Sequence, residues 1–380
     1  MRCWNRVGQL CLVLAIGVVA GSRLPLAAAA AAEPNEPREV LWRSLTPFFQ
    51  PPAELVGDLG DYRSPLIFDD GRAVRTGEEW TARREEILQF WLEAIGPWPP
   101  LIDRPQMEVL ESEAREELVQ KKVRFPAAPG LEIEGYLLAP AGAKSRPAVL
   151  VVYYDPATGV GLNPKSALRD FGYQLARRGF VALSIGWPNK YTEEQSPSRQ
   201  PLSSLAYIAA NSYNALAALP EVDPQRVGIV GHSFGGKWAI FASCLFDKFA
   251  CAVYSDPGIV FDEKRGNVNY WEPWYIGWEA DKSRKPGVPT EENPRTGPYK
   301  MLFESGRDLH ELLALMAPRP LLVSGGAEDR PQRWRALNHV VAVNRLLGRE
   351  NRVAMTNRSG HGPTEESNEQ LYRFFEYFLK

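Results

Sequence analysis

From about residue 107 onward, short unbroken runs of apolar residues alternate with helical stretches, and this alternation restricts the fold more than any other feature of the chain. Ala148–Tyr154, Phe180–Ile185, Arg226–Val230, Ala250–Ser255 and Pro320–Ser324 read as strands. A strand that is apolar on both sides needs cover on both sides. Between and after them Phe171–Arg178, Ser203–Leu219 and Trp334–Leu347 have helical character, and Arg352–Thr356 reads as one more short strand. The closing helix lines up Leu371, Phe374, Phe375, Phe378 and Leu379 in one stripe. Leu118–Phe125 and Leu131–Leu138 read as an antiparallel pair ahead of the series. The pattern predicts an α/β domain over 107–380, with a mostly parallel central sheet and helices on both faces.

The residues before 107 divide in two. Arg2 and Arg6, the apolar run Leu10–Ala20 and the small residues Ala27–Ala32 follow the order of a secretory signal peptide over 1–32. Gly21, Ser22 and Arg23 interrupt the apolar run, which is too short for a lasting span. A secreted or periplasmic product is expected, with no stable membrane span once the signal is removed. Residues 33–106 read as an arm in which Pro47, Pro51 and Pro52 break any helix, followed by a helix over Thr81–Ile95. Ile87, Leu88, Trp91, Leu92 and Ile95 share its apolar face, and Pro97, Pro99 and Pro100 end it.

With 44 basic against 46 acidic residues, the chain has no basic field for nucleic acid. Beyond the signal only Cys244 and Cys251 remain, read either as a pair or as two buried small side chains. No cysteine and histidine spacing suggests a metal site.

Residues 257 to about 310 break the alternation. They are rich in Gly, Pro, Trp and charge, and read as an insertion over the C-terminal edge of the sheet, where open α/β sheets bind ligands. Tyr270, Trp271, Trp274, Tyr275 and Trp278 lie there among Asn267, Asn269 and Glu272. Flat rings beside polar groups suit sugar faces, which makes Trp271 and Trp274 candidate substrate contacts, and the same rings also serve to pack an insertion down.

Gly231-His232-Ser233-Phe234-Gly235 sits directly between a buried strand and a helix, the setting of a nucleophile elbow. Glycines on either side let the backbone turn tightly, and the helix N-terminus faces developing negative charge. Ser233 needs a base. Of the four histidines, His232 adjoins the serine and points away, whereas His310 and His339 lie in helical stretches. His361, in Ser359-Gly360-His361-Gly362-Pro363 after the last strand, has the required position. For the acid, Asp329 after the fifth strand stands first, with Asp256 after the fourth and Glu328 beside Asp329 left open. The Phe234 N–H, together with that of Tyr154 or Asp155, is placed for an oxyanion hole.

At these residues the chain resembles the α/β-hydrolase superfamily, and more closely its glucuronoyl and acetyl-xylan esterase branches. The likeness runs from about 75 to 380. It is carried by Trp80–Pro100, by Gly231–Lys237 and by Asp308–Pro320. The resemblance implies a lysine at 237 that contacts sugar hydroxyls, and no metal or organic cofactor. Glucuronoyl esterases commonly carry arginine where this chain has Phe234, and those that take their acid after the fourth strand usually have glutamate where Asp256 stands.

The expected activity is hydrolysis of esters on carbohydrate, small or polymeric, through a Ser-His-Asp triad and an acyl-enzyme. A prolyl-oligopeptidase-like peptidase is the alternative, although the chain before 107 is too short for a propeller. A non-catalytic carbohydrate-binding relative is the third reading.

Overall fold

The computed structural model describes residues 36–265 and 273–380, with the side chains of 273 and 274 also outside the description. The expected signal segment, Trp271 and the Trp274 side chain therefore lie outside the described residues. Nine strands of the described chain form one sheet: β1 (Glu108–Arg115), β2 (Leu118–Ala128), β3 (Leu131–Pro140), β4 (Arg146–Val152), β5 (Val181–Ile185), β6 (Val222–His232), β7 (Cys251–Ser255), β8 (Leu321–Gly325) and β9 (Val353–Asn357). Their order is β1-β2-β3-β5-β4-β6-β7-β8-β9. The first four neighbours pair antiparallel, and from β5 to β9 every pairing is parallel.

The principal helices are α1 (Arg38–Leu45), α2 (Gly77–Ile95), α3 (Phe171–Arg177), α4 (Pro201–Ala217), α5 (Phe234–Leu245), α6 (Gly297–Glu304), α7 (Leu309–Ala314), α8 (Trp334–Leu346) and α9 (Glu365–Leu379), with short helical pieces at Pro156–Gly159 and Asn189–Gln195 beside them. Strand alternation explains how they divide between two layers. Leu150, Ile229, Tyr254 and Val323 point into the core under α2, α4, α5, α7 and α8. Val151, Val230, Val253 and Leu322 point to the other side, where Phe171, Leu175, Leu371, Phe374 and Phe375 of α3 and α9 cover them. Runs that read as unbroken apolar stretches are therefore two interleaved cores.

Two elements depart from expectation. β1, with the sequence EVLESEAR, is an edge strand paired only with β2, so water on its faces leaves it no apolar signal. In the arm, α1 ends before Pro47, which sits harmlessly in the first turn of a following 3₁₀ turn. Leu41 and Leu45 are buried, Trp42 stacks on Tyr377 with centroids 5.2 Å apart, and Arg38 Nη1 donates to the Tyr377 carbonyl at 2.8 Å. Helix α2 opens with a Thr76/Glu79 capping box and buries Trp80, Arg83, Ile87, Trp91 and Ile95, leaving Leu88 and Leu92 at the margin. Cys244 and Cys251 are both buried and unpaired. No helix of the described residues is long and apolar enough to cross a membrane.

The stretches before β1 and before β8 that carry the resemblance meet in a buried ionic network. Arg83 and Arg307 both grip Glu311, each at 2.7 Å, and both reach Asp69 of the arm. The two helical histidines hold the arm as well. His310 Nε2–H donates to the Arg63 carbonyl at 2.6 Å, and His339 Nε2–H to that of Leu59 at 3.0 Å. Burial pushes His310 down to about 3 and also lowers His339. A histidine held neutral lets the unfolded chain bind more protons below about 6.5, so this stabilisation is lost as pH falls from there toward the folded value. Asp308 and Asp329, raised by burial to about 7 and about 6, act in the opposite sense over the same range. A comparison with His310→Gln cancels their contribution. From pH 7 to pH 5 the wild type should lose about 2 kcal/mol more than the variant, read from urea melts at both pH values.

Candidate active site

The site lies at the C-terminal ends of β6, β7, β8 and β9. Strand β6 ends at His232, and Ser233 turns the chain into α5 with φ 54° and ψ −113°. A non-glycine residue held there costs on the order of 1–3 kcal/mol, and such strain gathers at functional positions. Two glycines make the turn possible. A Cβ at 231 would overlap the Gly235 backbone, and one at 235 would overlap the Val152 carbonyl. The Ser233 N–H donates to the Ser255 carbonyl at 2.8 Å, fixing the turn against β7.

Ser233 Oγ lies 2.8 Å from His361 Nε2, and His361 Nδ1 lies 2.7 Å from Asp256 Oδ2. The imidazole is 40% exposed, whereas the Asp256 carboxylate is fully buried. Asp256 follows β7 directly, with φ 50°. Burial raises its pKa, but the bonds from His361 and from the Asp329 and Glu328 amides, with the nearby Arg358 charge, outweigh this. The carboxyl is held below its ordinary value. Gly326 leaves room here, because a Cβ would overlap the Gly360 carbonyl and crowd Asp256 Oδ2.

The carboxylate on His361 is thus Asp256 and not Asp329, which the sequence ranks first. Asp329 turns the other way and accepts the Gly258 and Ile259 N–H groups, both at 2.7 Å. Each aspartate caps the other's loop. Glu328 does not reach His361 either, since its Oε1 accepts Arg265 Nη2 at 2.8 Å. Position after a strand selects all three carboxylates; only the direction of each loop separates them.

His232 points beneath the site. Its Nδ1 lies 3.1 Å from both the Ser255 carbonyl and Ser255 Oγ, and burial, with the charges of His361, Arg169 and Arg358, holds it neutral. Phe234 opens α5, and its ring stacks on Tyr154 at 4.5 Å and 14°. The two residues expected to supply oxyanion N–H groups therefore sit side by side. The Asp155 side chain caps a short turn, accepting the Thr158 N–H at 2.8 Å. Lys237, one turn beyond Ser233, is buried, with Nζ 5.8 Å from the ring centroid of Tyr275. Tyr275 is itself buried and packs on Phe234 at 5.8 Å, which brings that part of the insertion to the elbow. The sequence does not single out Arg358, whose contacts are mostly to backbone carbonyls, or Ser255, whose hydroxyl meets His232 and Arg358 only once the fold brings them together.

The arrangement is suited to moving a proton from a hydroxyl to an imidazole beside helix-terminal amides. Residues 209–380 match the prolyl oligopeptidase family, and residues 141–253 match the PET hydrolase-like family. The chain is 30% identical over 167 residues to Esterase FrsA of Yersinia pestis, across 40% of this chain and 38% of that protein. It therefore spans well under half the length of the curated relatives it matches. A glucuronoyl esterase from Solibacter usitatus superposes with a TM-score of 0.68 at 21% identity, covering 85% of this chain and 100% of that one. One from Teredinibacter turnerae gives 0.62 at 18%, covering 84% and 89%. The fold is that of the α/β-hydrolases.

Proposed function

We propose that this chain is a secreted serine carboxylic-ester hydrolase acting on esterified or acylated carbohydrate. The observation that carries the reading is the continuous chain from Ser233 Oγ through His361 to the buried Asp256 carboxylate, with steps of 2.8 and 2.7 Å. Ser233 attacks the ester carbonyl while His361 Nε2 takes its proton. The oxyanion forms beside the Phe234 and Tyr154 amides. His361 then gives the proton to the leaving alcohol, and water hydrolyses the acyl-enzyme by the same steps in reverse. Asp256 holds the ring with Nδ1–H toward itself and stabilises the imidazolium.

The carbohydrate part rests on what the similar structures are described as acting on, together with the buried Lys237 beside the elbow. Secretion rests on the N-terminal sequence. Phe234 stands where glucuronoyl esterases commonly carry arginine, so ester hydrolysis carries over to this site without specificity for uronate esters. A peptidase is the second reading, favoured by the match of residues 209–380.

The test is a panel of acetyl, feruloyl and methyl-glucuronoyl esters beside a prolyl peptide, with organophosphonate titration. Expected are stoichiometric labelling of Ser233, turnover of acyl-sugar esters and none of the peptide. Peptide turnover without ester turnover would establish the second reading, and absence of labelling would remove both.

A further inference from the structure

We infer that Arg358 is a positioning residue that locks the three loops of the triad together, an inference that rests on the ester-hydrolase reading above. Arg358 is the first residue after β9 and lies three before His361. Its Nη2 donates to the His361 carbonyl at 2.7 Å, and its Nε to the Gly362 carbonyl at 2.7 Å. From the same group Nη1 donates to the Ser324 carbonyl at 2.8 Å, at the end of β8. The Arg358 backbone N–H adds a bond to the Gly325 carbonyl at 3.0 Å. Nη2 also reaches Ser255 Oγ at 3.3 Å, and that hydroxyl stands 3.1 Å from His232 Nδ1.

Ser255 immediately precedes Asp256, and His232 immediately precedes Ser233. One guanidinium therefore connects the base's own carbonyl to the residue before the acid and, through one hydroxyl, to the residue before the nucleophile. The base loop needs such an anchor. It contains Gly360 and Gly362, and His361 is 40% exposed, so packing does little to fix the ring. Its two nitrogens are bound by the groups it must serve, and its remaining ring contact among the described residues is the tilted His232 ring, with centroids 4.8 Å apart. Arginine suits the task because its planar fork offers five donors in fixed directions, whereas a lysine ammonium reaches from a single point. The charge has a second effect: it contributes to holding Asp256 ionised.

The test uses the full chain with Arg358→Ala and Arg358→Lys. Misplacement of a general base by about 1 Å costs on the order of 100-fold, so both variants should lose about that much in kcat on an activated acetyl ester, with KM within about threefold of wild type. Lysine should fail to rescue although it keeps the charge. Ethylguanidine in millimolar amounts should restore part of the activity of Arg358→Ala and none of that of a Ser233→Ala control. Circular dichroism melts verify folding. A readout independent of turnover is the low-field proton resonance of the His361 Nδ1–H bond to Asp256, expected in wild type and in Ser233→Ala and lost in both Arg358 variants.

If wild type hydrolyses no ester while the resonance still disappears in the variants, the proposed activity fails and the positioning role stands. If wild type is an esterase and either Arg358 variant keeps both kcat and the resonance, the positioning role is overturned. Absence of the resonance in wild type overturns the positioning role, whatever the ester turnover shows.

Discussion

Ser233→Ala is expected to reduce kcat on an activated ester by about 10⁶-fold, close to the loss seen when an entire triad is removed, because triad members act as a unit. What remains, about 10³–10⁴ above water, would come from the oxyanion amides and substrate binding alone. Stability should fall only by the value of one hydrogen bond. Alanine meets the same backbone demand at φ 54°, and the one bond lost, to the half-exposed His361, is worth about 0.5–1.5 kcal/mol. Ser233→Gly separates chemistry from strain. It should be as inactive as the alanine variant yet more stable than it by about 1 kcal/mol, because glycine accepts the φ and ψ of this turn without Cβ crowding. Single-turnover kinetics with urea melts on the three proteins reads both quantities. An alanine variant within tenfold of wild type would move the nucleophile elsewhere.

How much of this was readable from residues alone depended on whether the signal was local. The parallel strands announced themselves because each feeds two cores, so consecutive side chains along their central stretches are apolar. β1 gave no such signal, since an edge strand with charged side chains on both faces looks like a loop. Ser233 and His361 could be singled out by a five-residue motif and by elimination among four histidines. The acid could not. Asp256 and Asp329 both follow buried strands, both are buried, and each is bonded to the other's loop; what differs is which way β7 and β8 release the chain. Arg358 was invisible for another reason, since four of its contacts are to carbonyls that any sequence supplies. Trp80–Pro100 and Asp308–Pro320, two of the three stretches carrying the family likeness, lie outside the triad. Their Arg83 and Glu311 join Asp69 and Arg307 in the network that seats the arm, so family resemblance there reports on scaffold.

The pair of aspartates gives the sharpest separation of roles. Asp256→Asn should lower kcat by about 10⁴-fold with little change in KM, because the imidazole then settles in the wrong tautomer. The geometry favours that outcome, because the imidazole can shift its proton to the other nitrogen whereas the Glu328 and Asp329 amides cannot lose theirs. Asp256 accepts three N–H groups, from His361, Glu328 and Asp329, and an asparagine replaces one accepting oxygen by a donor. Whichever way the amide flips, a donor faces a donor. If it faces His361, Nδ1 must become the acceptor and Nε2 the proton carrier, which leaves no base for Ser233. Asp329→Asn carries the same formal change into a carboxylate that contacts no imidazole. It leaves one of the Gly258 and Ile259 N–H groups opposite an amide hydrogen, a buried mismatch of about 1–3 kcal/mol in stability. Its kcat should stay within about tenfold of wild type, since Asp256 loses no bond to its side chain. Measured together, the two variants should therefore split: a rate defect without unfolding at 256, and a lowered melting midpoint with most of the rate intact at 329. The reverse ordering of rate defects would return the acid to Asp329 and require the loops after β7 and β8 to exchange their directions in the working enzyme.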